Sequence, residues 1–551
     1  MTLSGVGRPD ARSAGLGAVA GVLAAGVALG VGQFVAGLTG ASGSPVVVVG
    51  ELQIDFTPPW LKNFAITEFG ADDKLVLVTG IVVVLGAFAA LVGAAATRRM
   101  AYGMAGIAVF AAVGLTAAAT RPDATVASLL PTLAATASAV AVLHLLVPLA
   151  RPPARPVARA VSYDPVTGPA ETGLAETGPA ETGLAETGEP ELTAAEGPPR
   201  RSFLAAGAAA AGIGAGAGLV GRLLTERGSV ARAQKALRIP KPAVTTQALP
   251  SGVDLNIPGL APFVTPNAKF YRVDTALVLP QVDPSSWQLR IHGMVNREIT
   301  LTFDQLIKRP LIEDYITLCC VSNPVDGPYI GNAKWLGASL AALLKEAGIK
   351  AGADQLLCTS VDGFTSGTPV QTVMDGRDAL LAVATNGQPL PIAHGFPARM
   401  VVPGLYGYVS ATKWVTDINV TTFAGNYAYW AQRGWSQQAP IKTECRIDVP
   451  IGTNDMKPGP VTVAGVAWAQ HKGIEAVEVR VDRGPWQEAR LAAVPGLDTW
   501  RQWVWEWDAT TGGHVIEARA TDKTGYTQTS ALAPPEPNGA TGYPMVSVPV
   551  R

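Results

Sequence analysis

Cysteine is scarce in this sequence. Only Cys319, Cys320, Cys358 and Cys445 occur among 551 residues. So few thiols in so long a chain exclude a disulfide scaffold, and neither they nor the five histidines have the spacing of a zinc cluster. Charge is sparse too: 15% of residues are charged and the net charge is −1, so nothing favours nucleic acid. Tryptophan is almost missing from the first 240 residues, where Trp60 is the exception among twelve. What is present instead is hydrophobic surface, 48% of residues with a mean hydropathy of +0.25. The length is too great for one core and implies about three or four domains.

The apolar residues are concentrated early. A helix needs about 20 apolar residues to cross the hydrocarbon core. Stretches 15–39, 75–97, 101–119 and 124–149 qualify, giving a four-helix transmembrane region over 1–150. Stretch 203–220 is weaker, rich in Ala and Gly, and makes a fifth span within 200–225. Cations flank the spans unevenly. Arg8 and Arg12, then Arg98 and Arg99, then Arg151, Arg155 and Arg159 fall on one side if the N-terminus is cytoplasmic. Everything after about residue 225 is then extracytoplasmic, as a multi-pass cell-membrane protein would place it. His144 alone lies in these spans, as a packed polar group or helix contact. Haem iron needs protein axial ligands, so no haem is expected on this chain. No intramembrane acid–base pair suggests transport.

Residues 151–199 hold the repeat TGPAETGLAETGPAETGLAETG and read as a disordered linker, because Gly, Pro, Thr and Glu bury too little to offset ordering entropy. At its end, Arg200-Arg201-Ser-Phe203-Leu204 before a mildly apolar run resembles a twin-arginine export signal, here internal. That resemblance implies that the downstream domain folds before export, as insertion of a cofactor in the cytoplasm would require.

From about residue 260 the pattern changes to strands, turns and short helices. SWQLRIHGMV and YITLCCVSN read as strands. GASLAALLKEAGI reads as an amphipathic helix with Leu340, Leu343, Leu344 and Ala347 on one face. Cys320 falls at a strand end before a Ser-Asn-Pro turn, where it can enter a cleft, and Cys319 faces the other way. Cys358 and Cys445 read as core thiols, with a disulfide between them as the alternative.

Blocks in this region, in order, resemble the sulfite oxidase family of molybdopterin-dependent oxidoreductases, in its membrane-anchored bacterial form. They are TPNAKFYRVDTA, WQLRIHGMV, LTFDQL, TLCCVSN, WLGASLAALLKEAGI, SVDGF and NGQPLPIAHGFPARMVVPGLYGYVSATKWV. The resemblance implies an α+β molybdopterin-binding catalytic domain over 250–430. It makes Cys320, spaced Cys-x-x-Asn from Asn323, the metal ligand and catalytic residue. A soft thiolate suits a metal that cycles between oxidation states. It implies Arg272, His394, Arg399, Ser410, Thr412 and Lys413 as cofactor-binding residues, with Asn267, Tyr271 and Ser360 beside them. Arginine forks, ammonium and hydroxyl groups suit a phosphate and a polar ring edge.

Residues 440–551 alternate apolar and polar positions and read as an all-β immunoglobulin-like sandwich, which the resemblance implies is a dimerisation domain, making a homodimer possible. Trp468, Trp486, Trp503 and Trp507 are expected in core or interface. The pattern departs from sulfite oxidation at two places. Pro324 stands where the family has an anion-binding arginine, and Val383 aligns where it has a tyrosine near the metal. Losing a cation and a phenol weakens an anion pocket. Oxygen-atom transfer is therefore expected to run towards S-oxide or N-oxide reduction, on a small molecule or an oxidised protein. A separate redox partner exchanges the electrons. The alternative is a non-catalytic extracytoplasmic binding protein with a degenerate cofactor domain.

Overall fold

The computed structural model describes residues 11–39, 44–58, 73–121, 124–151, 200–226, 229–276, 278–452 and 456–551. The chain divides into two compact units, one of N-terminal helices and one dominated by residues 222–551. The proposed linker lies, apart from Arg151, outside the described residues.

The helical unit contains α1 (Ala11–Thr39), α3 (Asp73–Arg98), α4 (Met100–Ala119), α5 (Leu130–Ala150) and most of α6 (Arg200–Glu226). A short helix absent from the sequence-based expectation, α2 (Pro45–Phe56), lies between α1 and α3. Five helices are long and apolar enough to cross a membrane, including Arg201–Leu224. Small residues set how these helices meet. A Cβ on Gly21 would lie 2.0 Å from the Ala89 carbonyl oxygen, and one on Gly17 would meet Gly93 and Thr97, so α1 and α3 are antiparallel with backbones in contact. Gly103 and Gly106 of α4 face Ala96 and Val92, again antiparallel, and Gly114 faces Thr132 of α5. Gly207, Gly214 and Gly221 of α6 face Leu23, Val27 and Gln33, so α6 runs parallel to α1. Arg151 donates to the Ala96 carbonyl at 2.8 Å, tying the ends of α3 and α5 at one level. His144 is exposed, its ring 2.9 Å from the Val140 carbonyl of its own helix. It is not packed between helices, because its own turn already offers an acceptor.

In the second unit, packing begins before residue 250. In α7 (Ser229–Ala236), Val230 is buried and Gln234 donates to the Leu390 carbonyl at 2.7 Å. Two sheets follow, the first mixed and the second antiparallel. One sheet has the order β2 (Ile299–Thr302), β1 (Gln288–Gly293), β10 (Val415–Thr421), β5 (Gln355–Ser360), β6 (Thr365–Pro369), with only β1 and β10 parallel. The other runs β3 (Leu311–Cys319), β4 (Ile330–Ser339), β7 (Leu380–Thr385), β8 (Gln388–Pro389), with β9 (Arg399–Val401) also on β7. The predicted amphipathic helix is α9 (Leu340–Ala347), following α8 (Phe303–Ile307). Its buried face is Leu340, Leu343, Leu344 and Ala347. Ser339 caps its start, and Gly348 ends it at φ 70°, a left-handed conformation that favours glycine.

Residues from β11 (Glu444–Val449) onward form two four-stranded antiparallel sheets. The first also holds β12 (Gly459–Trp468) and β16 (Arg501–Ala509). The second is built on β13 (Ile474–Val481) and β17 (Gly512–Asp522). They share one core containing Cys445, Trp503 and Trp507. Trp468 is also buried, whereas Trp486 is half-buried between Arg480 and Arg519, each 4.4 Å from its ring. All four cysteines are free and buried, so Cys358 and Cys445 are core thiols in separate clusters.

Candidate functional site

β3 carries the two adjacent thiols to its end. Its alternation separates them: Ile316 and Leu318 pack in one core cluster, while Cys319 packs in the larger one. Cys320 follows the strand, on the side of Leu318 by alternation. Its N–H donates to the Tyr329 carbonyl at 2.9 Å, and its own carbonyl accepts from the Asn323 N–H at 3.1 Å. Asn323 closes the turn by accepting the Tyr329 N–H at 2.7 Å. Burial pushes the Cys320 thiol up, while hydrogen bonds from Ser322 and the Lys413 charge pull it back. Cys319 is pushed well up by burial and by the charges of Glu444 and Cys320. The two neighbours are thus electrostatically different: Cys320 has hydrogen bonds from Ser322 and the Lys413 charge favouring its thiolate, whereas Cys319 has the Arg446 charge alone, against two acidic neighbours.

Around Cys320 the fold assembles a cationic wall. Arg399, on β9, is buried and donates only to carbonyls: His394 at 3.1 Å, Ala411 at 3.2 Å and Met400 at 3.4 Å. Its guanidinium lies 5.1 Å from the Trp335 ring. No carboxylate faces it among the described residues, and burial lowers its pKa to about 10. His394 is 8% exposed, and its pKa falls to about 3 through burial and the charges of Arg399, Lys413 and Arg272. It is therefore neutral near pH 7. Tyr271 stacks on Phe270 at 5.3 Å, and its phenol is held well up by burial and by the charges of Cys320 and Cys319. Phe270 in turn meets the His394 ring edge-on at 5.7 Å. These contacts bring Cys320, Tyr271, Arg272, His394, Arg399 and Lys413 together.

Asp274 was missed in the sequence. Its 4% exposed side chain accepts Lys413 Nζ at 2.6 Å and pairs with Arg272 Nε at 3.4 Å. The signal was the Arg-x-Asp spacing, which in an extended segment puts both side chains on one side. Trp335 and Ser322 were missed as well.

Three expected cofactor residues have other partners. Ser410, in α11 (Gly407–Ser410), donates to Leu405 and Tyr406 carbonyls of its own turn. Thr412 shares a 2.5 Å hydrogen bond with Ser366 on β6. Asn267 donates to Thr385 and Gln388 and accepts from Asn386, pinning the turn after β7. Ser360 differs: it is 3% exposed, it pairs in register with Val415, and its hydroxyl has no partner among the described residues. Asn323 Nδ2 is likewise buried and unsatisfied. Unpaired buried donors on Ser360 and Asn323, and a buried Arg399 with no carboxylate facing it among the described residues, fit an anionic, acceptor-rich cofactor such as a phosphorylated pterin.

Pro324 is exposed in the turn after Asn323. Val383 packs into the larger core, whereas Ala382, paired in register with Arg399, lies on the face with Leu380 and Trp335. Val383 therefore does not border Cys320 as the alignment suggested. Strand alternation turns it away, and Ala382 on the near face brings no phenol either.

A family model described as an oxidoreductase molybdopterin binding domain matches residues 276–430. Mitochondrial sulfite oxidase of Mus musculus is 30% identical over 290 residues, 44% of this chain and 52% of that protein. Sulfite oxidase of Gallus gallus is 30% identical over 325 residues, 49% of this chain and 69% of that protein. The uncharacterised oxidoreductase YuiH of Bacillus subtilis (strain 168) is 30% identical over 153 residues, 28% of this chain and 74% of that protein. The chain thus spans about half the length of the mammalian relatives it matches.

Proposed function

Because the chain belongs to the sulfite oxidase family of molybdopterin oxidoreductases, we propose that it is a membrane-anchored molybdenum enzyme whose metal is bound by Cys320. The observation that carries this is that Tyr271 feels the charges of both Cys320 and Arg399, a buried cation whose hydrogen bonds all go to carbonyls among the described residues. Bound there, molybdopterin supplies a metal that exchanges an oxygen atom with substrate in a two-electron step. The chain's residues prepare the place. Ser322 and Lys413 favour the Cys320 thiolate against burial. Arg399, Lys413 and Arg272 offer charge to an anion, and Asp274 fixes the latter two. Neutral His394 can donate one hydrogen bond and accept one. Ser360 and Asn323 offer unused polar atoms.

The substrate is an S-oxide or N-oxide, reduced to the parent compound. Such a group carries no net charge, although its oxygen is the negative end of a strong dipole. It does not need the full anion pocket, whose cation Pro324 and whose phenol Ala382 fail to provide. A separate redox partner supplies electrons. The two C-terminal sheets, read as an immunoglobulin-like module, mediate a homodimer.

The helical unit anchors the enzyme, with the N-terminus cytoplasmic and the catalytic unit outside. Helix directions support this. The antiparallel run of α1, α3, α4 and α5 puts Arg12, Arg98, Arg99 and Arg151 at one level, and α6, parallel to α1, leaves that level. Arg200 and Arg201 open α6, as an internal twin-arginine signal would.

Metal and pterin content of the full chain, purified from a host that makes the cofactor, tests the assignment. Stoichiometric molybdenum is expected. Cys320→Ser should abolish turnover with an unchanged fold by circular dichroism. Folded, pterin-free protein would overturn it.

A further inference from the structure

Immediately after α6 the chain turns basic. Between Ser229 and Val253 there are four cations, Arg232, Lys235, Arg238 and Lys241, and no Asp or Glu. All four are exposed, and none has an ion pair among the described residues.

They are not on a free tail. At one end Val230 is 4% exposed in a core cluster, and Gln234 donates to the Leu390 carbonyl at 2.7 Å. In the middle Leu237 packs on the core, and its N–H donates to the Ala233 carbonyl at 3.0 Å. At the far end the Ala243 N–H donates to the Leu311 carbonyl at 2.8 Å, and Glu313 donates its N–H to the Val244 carbonyl at 2.9 Å. The nearest acid along that strand, Glu313, is already engaged by Lys334 at 2.8 Å. The strip is therefore clamped to the folded unit with its charges turned outward and uncompensated.

Its distance from the bilayer is limited by the chain. Arg232 is eight residues beyond Leu224, where the candidate span ends. Eight residues reach at most about 28 Å when fully extended. Cations directly beyond a span on the far side also oppose the bias that sets orientation, a cost that binding anionic headgroups would offset.

We propose that Arg232, Lys235, Arg238 and Lys241 form a docking strip for anionic lipid headgroups, which seats the catalytic unit against the membrane surface. This rests on the reading that α6 crosses the bilayer. Lipid is favoured over an acidic protein because the tether keeps the strip within reach of headgroups at all times, whereas a soluble partner must find it by diffusion.

The test uses the full chain in nanodiscs of either phosphatidylcholine alone or phosphatidylcholine with phosphatidylglycerol. A spin label at Ala236→Cys reports on the strip, since Ala236 is exposed and the four native thiols are buried. Access of a water-soluble paramagnetic relaxer to the label is expected to fall in the anionic discs. High salt, or Arg232→Gln with Lys235→Gln, should restore access. Each cation lost should weaken docking about fivefold. Equal access in both lipids would overturn the proposal, as would a fall that appears only when a soluble acidic protein is added. Failure of the chain to co-migrate with discs of either composition would instead refute the membrane-spanning reading.

Discussion

Glu444, at the start of β11, is 5% exposed, and its Oε1 has no partner among the described residues. Burial pushes its carboxyl up to about 8, with Lys442 pulling the other way. Because the folded value lies above the ordinary one, the folded chain keeps a proton that the unfolded chain has released. The stability from this group is full below about pH 4.5 and is lost as the pH rises through about 8. Glu444→Gln should therefore gain on the wild type in thermal unfolding between about pH 5 and pH 8, by up to roughly 1.4 kcal/mol per pH unit. A constant difference across that range would show that the carboxyl titrates normally. Arg399 is the opposite kind of buried charge, with no counter-charge among the described residues, where a cofactor anion is expected. Arg399→Lys should lower pterin retention about tenfold or more, read by fluorescence after acid release, because one ammonium cannot reproduce a planar fork. Full retention would remove Arg399 from the cofactor site.

Elements act here mainly by alternation and close approach. β3 sends Cys319 into the larger core and Leu318 into the other, and β7 sends Val383 into the larger core while Ala382 pairs in register with Arg399. Period-two geometry does this without regard to the chemistry of either side chain. Among the helices, contact depends on residues with no Cβ. A Cβ on Gly30 would lie 2.0 Å from the Gly214 carbonyl oxygen, so α1 and α6 touch backbone to backbone. Gly30→Leu should force them apart and cost about 1–3 kcal/mol, as overpacking does elsewhere. Unfolding in mixed detergent micelles would register it as an earlier loss of helix signal. Gly26→Leu is the control, because nothing lies within 4 Å of a Cβ there.

For the molecule as a whole, the proposed topology makes a direct prediction. Reporters fused after residue 225 should be active only outside the cytoplasm, and reporters within 160–190 only inside it. A cytoplasmic readout after 225 would reverse the topology. Much of this organisation is legible in the sequence. Span lengths, the helix at 340–347 and the strands around 288 and 316 follow from periodicity, which local geometry imposes on any folded segment. The family was legible because several motifs, those holding Cys320 and the His394–Lys413 block among them, stand in order. Asp274 was not, since its partner Lys413 is 139 residues away. Nor were the inward hydroxyls of Ser410 and Thr412, whose partners are carbonyls and a serine that only packing brings near. The sequence by itself determined the long apolar helices, the strand-rich region that follows them and the family, because these depend on composition, period and spacing along the chain. Only the tertiary structure decided that Asp274 joins Arg272 to Lys413, that Arg399 meets no carboxylate among the described residues, and that the basic strip after α6 is clamped outward. Those properties depend on which distant residues share a face, and no local pattern carries that.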